Sequence, residues 1–131
     1  MNVAYTWPPN YSLITTVLTP DPGAIFCYGD TIYSPSGRTP PEDIEHHESI
    51  HSKQQGANPN GWWERYLTDV DFRLSQELEA YAAQVNFIKK HMGAKAAKDC
   101  LDECARNLAS PAYALNLTKH QAETRIRRFV V

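Results

Sequence analysis

The stretch TPPEDIEHHESIHSKQQ, residues 39–55, decides how the rest of the chain is read. Ahead of it, Tyr11 to Leu18 and Ala24 to Tyr33 are rich in Tyr, Ile, Val, Thr and Phe and are punctuated by Pro20, Asp21, Pro22 and Gly23. That is strand-and-turn composition, with Gly29-Asp30 placed to close a hairpin. From Thr39 onward the composition turns helical. Thr39 as N-cap, Pro40 at the first helical position and Glu42 at the third make a capping-box start. Within two turns comes His47-Glu48-Ser49-Ile50-His51, an HExxH sequence. Positions i and i+4 of a helix lie about 40° apart around its axis, so His47 and His51 share one stripe and offer two imidazole nitrogens to one zinc ion. Glu48 sits beside that stripe, where it can take a proton from a water on the metal. Chance alone produces HExxH in about one chain in ninety of this composition, so the motif needs support from elsewhere in the sequence.

Length and composition narrow the class. With 131 residues and 42% hydrophobic content, the chain is expected to form one domain, residues 1–131, strand-rich over 1–38 and helical over 39–131. A net charge of −2 and a pI near 6.2 give no global reason to bind nucleic acid or an anionic membrane. The basic run Arg125, Arg127, Arg128 reads as cations complementing the dipole at a helix end rather than as a binding patch. Three cysteines, Cys27, Cys100 and Cys104, are too few and too irregular for a disulfide framework and suit a reducing compartment. Cys100 and Cys104 stand at i, i+4 spacing, which permits a metal clip but reads first as small buried residues. The start Met1-Asn2-Val3-Ala4-Tyr5 lacks a basic region followed by an apolar run, and no stretch approaches 18 apolar residues, so a soluble cytoplasmic protein is expected.

Further along, Gly56, Asn58, Pro59, Asn60 and Gly61 make a loop, followed by a short amphipathic turn or helix over Trp62 to Leu67. Trp62 and Trp63 read as a staple to the core, with lining of a substrate subsite as the alternative. A long helix is expected from about Asp69 to His91, stopped by Gly93, and another over roughly Ala94 to Leu108. A last helix starts at Thr118 with Gln121 in the reciprocal capping position.

A catalytic zinc takes three protein ligands and keeps one open position, and the long helix supplies the third. With Glu77 set at zero and about 100° per residue, Leu74, Leu78, Tyr81, Val85 and Ile88 form the buried face. Glu77 borders it. Glu79 falls at about 200°, on the solvent side. A carboxylate beside a buried stripe needs a partner, and a zinc ion on the neighbouring helix provides one, so Glu77 is assigned over Glu79. The competing reading pairs Glu77 with Arg73, one turn earlier. His46 lies about 100° from His47 and cannot share the ligand stripe.

HExxH at 47–51, followed on a second helix by Glu77-Leu78-Glu79-Ala80-Tyr81-Ala82, resembles the gluzincin metallopeptidases, and more closely their minimal single-domain forms from bacteria and phage. The resemblance spans about Thr31 to Val85. It implies that His47, His51 and Glu77 hold one Zn2+ per chain and that Glu48 is the base that activates water against a peptide bond. It also implies a small sheet above the motif helix whose edge strand pairs with an extended peptide or protein substrate, Thr31-Ile32-Tyr33 being the nearest candidate. Where many gluzincins carry an Asp that orients a ligating histidine, this chain has Tyr81. The donor to the reaction's oxyanion is open among Tyr33, Tyr81, Tyr113 and His120; His91 lies too far along its helix from Glu77. The expected fold is α+β, a small N-terminal antiparallel sheet or hairpin packed on about four helices in a zincin-like arrangement. The expected function is zinc-dependent peptide-bond hydrolysis. The rival is a non-catalytic zincin-fold structural or interaction module, such as a phage particle component. A helical protein with a chance motif is the third reading.

Overall fold

A computed structural model describes residues 1–131 and gives an α+β fold of a three-stranded sheet and six helices. The sheet comprises β1 (Asn2–Ala4), β2 (Phe26–Tyr28) and β3 (Thr31–Tyr33); the helices are α1 (Tyr11–Ile14), α2 (Glu42–Gln55), α3 (Pro59–Thr68), α4 (Val70–Met92), α5 (Ala94–Leu108) and α6 (Lys119–Arg127). No helix is long and apolar enough to cross a membrane.

The hairpin forms as expected. Gly29, at φ 64°, supplies the left-handed turn, and β2 pairs antiparallel with β3, Cys27 opposite Ile32. Two expectations for the N-terminal region do not hold. Residues 2–4 form a strand parallel to β3, with Val3 opposite Ile32, so the sheet is mixed and its order is β1-β3-β2. Thr31–Tyr33 is therefore the central strand, both of its edges already paired, and cannot receive a substrate strand. Tyr11 to Leu18 is not a strand either. Tyr11–Ile14 is a short helix continued by hydrogen-bonded turns, which puts Ile14 and Leu18 at i, i+4 on one buried face. That spacing outweighs the β-rich composition.

The start of α2 also differs. The helix begins at Glu42 with extended Pro41 in the N-cap position and no side-chain cap, so Thr39 is not the cap. A residue that precedes proline is pushed out of the α region; Pro41 thereby bars Pro40 from the first turn. Glu42, Asp43 and Glu45 in that turn complement the helix dipole instead. α3 is longer than expected, capped by the Asn58 side chain onto Gly61 N–H. α4 starts after Asp69, which caps Phe72 N–H, and ends at Gly93 with φ 91°. α5 occupies Ala94–Leu108, and α6 opens on a capping box between Thr118 and Gln121.

Two apolar clusters flank the polar contact between α2 and α4. One joins Val85, Leu101, Leu108 and Ile126 across α4, α5 and α6; the other joins Ile14, Leu18 and Phe26 to Trp62, Trp63 and Tyr66 of α3. Burying each large side chain contributes about 1.5–3 kcal/mol. The first cluster fixes α4 against α5 and α6, and the second fixes α3 against the sheet. Gln55 ties the end of α2 to the sheet, accepting from Gly29 N–H and donating to Cys27 O. Trp63 Nε1 donates to the same carbonyl.

Candidate metal centre

α2 and α4 face each other with stripes that are polar yet buried: His47, Glu48 and His51 on one, Arg73, Glu77, Tyr81 and Gln84 on the other. His47, His51 and Glu77 converge so that one ligand atom from each lies within 4.8 Å of the others. His47 Nε2 is 3.3 Å and His51 Nε2 3.2 Å from Glu77 Oε1. Two ligands at roughly 2.05 Å from a tetrahedral metal stand about 3.3 Å apart, so these separations, which also suit hydrogen bonds, fit a bound ion.

The hydrogen bonds behind the imidazoles fix which nitrogen faces the cluster. Gln84 Nε2 donates to Asp43 Oδ2 at 2.8 Å, and a carboxylate only accepts, so Gln84 Oε1 must face His47 Nδ1, 3.0 Å away. Nδ1 therefore carries the proton. The same reasoning holds for His51. Gln54 Nε2 donates to Gln76 O and Glu79 Oε1, turning its Oε1 to His51 Nδ1 at 2.7 Å. Both histidines thus direct Nε2 at Glu77, each oriented by a glutamine from behind, and a bound ion would take the place of any proton on that nitrogen. Glu77 is held as well, its Oε2 accepting from Tyr66 Oη at 2.6 Å. Burial disfavours charge on His51 and Glu77, but their mutual attraction and hydrogen bonds prevail. His51 is raised to about 9 and Glu77 is depressed well below the carboxylate range.

Glu48 has no such support. Its Oε2 is buried without a hydrogen-bond partner, and burial raises its pKa, with the neighbouring His51 and His47 opposing and Glu77 adding to the rise. It opens, with the three ligand residues, into a cavity of about 460 Å³ walled by Ile14, Leu18, Phe26, Trp62 and Trp63. Tyr81 and Tyr113 line the same cavity, their hydroxyls 2.6 Å apart. Only one of those two protons can lie between the oxygens, so the other O–H is free to donate into the cavity.

The remaining assignments fall into place around this geometry. Glu79 is exposed, as its helical phase requires, and touches the site only through Gln54. Arg73 does not pair with Glu77. Its buried guanidinium donates instead to the carbonyls of Tyr66, Tyr113 and Ala114, pinning the 3-10 turn Pro111–Tyr113 against α4. His46 stacks on Phe87, off the cluster. Trp62 is part of the apolar cluster, as a staple to the core requires; its Nε1 donates to Gln76 and its ring lies 5.3 Å from that of His51 at the cavity wall. Tyr81 packs edge-on against His47, and the orienting bond to His47 comes from Gln84. Gln84, Gln54, Tyr66 and Asp43 are additions to the site. Gln84 stands seven residues after Glu77, two turns along the same face, a phase that sequence carries; Tyr66 has no comparable signal.

Compared with protein-family models, characterised proteins and solved structures, the chain matches none.

Proposed function

We propose that this protein is a zinc-dependent metallopeptidase of zincin-like architecture, acting on a peptide or protein substrate. The observation that carries the reading is Glu48. A buried carboxylate with an oxygen that has no hydrogen-bond partner is costly, and it stands beside two imidazoles and a carboxylate spaced for a metal.

His47 Nε2, His51 Nε2 and Glu77 Oε1 would hold the ion. When bound, zinc supplies a Lewis acid that lowers the pKa of a coordinated water to about 7. The donor set of two imidazoles and one carboxylate suits zinc and leaves a fourth position open. Glu48 takes the proton of the attacking water and passes it to the departing amine nitrogen; its raised pKa suits a group that must both accept and release a proton. The free hydroxyl proton of the Tyr81–Tyr113 pair donates to the oxygen that gains charge at the scissile carbonyl. Trp62, Trp63 and Phe26 form an apolar wall that keeps bulk water from the reacting atoms and receives a substrate side chain.

The test is cleavage of a broad peptide library by zinc-loaded protein, read by mass spectrometry, beside Glu48→Gln. Wild type is expected to cleave, and Glu48→Gln to keep its zinc while losing at least about 10²-fold in rate. Cleavage that survives the substitution rejects the mechanism. No cleavage by zinc-loaded wild type moves the assignment to a non-catalytic structural or interaction module of the same architecture.

A further inference from the structure

In a second pocket, which shares Asp43 and Gln84 with the metal centre's cavity, two sulfurs converge. Cys100 and Cys104 stand one turn apart on α5 with Sγ atoms 3.8 Å apart. Cys104 is buried, Cys100 half-buried, and neither is in a disulfide. Both line this pocket of about 260 Å³ together with Met92, which brings a third sulfur to its wall. Packing of α5 requires small side chains at these positions; it does not require two sulfurs turned toward each other at the wall of an open pocket.

We propose that Cys100 and Cys104 form a chelating site for a soft, thiophilic metal ion, with Cu(I) the ion of best fit. The spacing is the first reason. Two thiolates at roughly 2.3 Å from one metal centre subtend about 3.8 Å at a tetrahedral angle and slightly more at a trigonal one. The observed separation is that bite. The same spacing argues against a redox switch, because Cβ atoms at i, i+4 on a helix stand about 5–6 Å apart and a disulfide needs about 3.5–4.5 Å. An S–S bond would therefore require α5 to unwind, whereas a bridging ion leaves it intact.

The ligand count is the second reason. Structural zinc takes four protein ligands, and the one place where three histidine, cysteine or acidic ligand atoms converge in this protein is His47, His51 and Glu77. Asp43, Asp99 and Glu103 also line the pocket, but the pair of donors at bite distance is two thiolates, with the Met92 side chain at the wall, and that soft pair favours Cu(I) over harder divalent ions. Binding releases the two thiol protons to solvent and changes no oxidation state, copper arriving as Cu(I).

Zinc-loaded protein titrated anaerobically with Cu(I) buffered by a chromophoric Cu(I) chelator tests the site. Wild type is expected to retain one copper per chain and to develop thiolate-to-copper absorption in the near ultraviolet. Cys100→Ser, at a half-buried position that tolerates the change, should lose at least 100-fold in Cu(I) affinity, and Cys104→Ala should do the same. Cys27→Ser should bind as wild type. His51→Ala should also retain the copper, which separates this site from the zinc reading. Wild type that yields copper to the chelator as readily as Cys100→Ser overturns the proposal, as does copper binding that survives in Cys100→Ser and disappears in His51→Ala.

Discussion

Replacing Gln84 with leucine probes the metal centre without touching a ligand. Gln84 Oε1 receives the Nδ1 proton of His47 at 3.0 Å, and Asp43 holds the amide in that orientation at 2.8 Å. Leucine has similar volume, so the packing between α2 and α4 is kept while the acceptor is removed. A buried N–H left without a partner costs about 1–3 kcal/mol. Loss of the bond behind a ligating histidine typically weakens metal binding about 10–100-fold, which is about 1.4–2.7 kcal/mol. Two independent routes thus give the same range. Zinc affinity measured by competition with a chromophoric chelator should fall by that factor in Gln84→Leu, with the fold retained by circular dichroism. Gln54→Leu should fall less, because Gln54 is only half-buried and water can replace its oxygen behind His51. Wild-type affinity in a folded Gln84→Leu protein would refute the claim that His47 binds through Nε2 in this geometry.

Glu77→Gln should abolish tight zinc binding, with Glu79→Gln within about threefold of wild type, since the first removes a ligand and the second alters an exposed carboxylate one residue removed from His51; chelator competition on both proteins checks the contrast. Arg73→Leu strips the donor from three carbonyls, and at about 1 kcal/mol or more for each the fold should lose roughly 3 kcal/mol, read as a urea midpoint lowered by about 1–2 M. Replacing both hydroxyls, Tyr81→Phe with Tyr113→Phe, should lower kcat of an active enzyme by about 10²–10³-fold with zinc content little changed, because either single change leaves one O–H free to donate and only the pair of changes removes the donor.

Local chemistry carried much of this fold into the sequence. Gly93, Asp69 and the Thr118–Gln121 pair act within one turn of where they stand, and the helices they bound lie within a residue or two of expectation. The candidate cluster was readable for the same reason, as i, i+4 spacing puts His47 with His51 and helical phase separates Glu77 from Glu79. What sequence could not carry depends on docking. The parallel pairing of β1 with β3 joins segments nearly thirty residues apart, and Tyr66 reaches Glu77 only once α3 folds back on α4. Two misreadings were local: Pro41 forbids a helix start at Pro40, and the Ile14–Leu18 spacing marks a helical turn inside β-rich composition.

Metal content of protein purified without chelators and analysed by plasma mass spectrometry tests the central claim most directly. The account predicts one zinc per chain in wild type and almost none in His47→Ala, His51→Ala or Glu77→Gln, with Glu48→Gln still loaded. Wild-type protein that is folded yet takes up no zinc, or zinc that persists after His51→Ala, would contradict it.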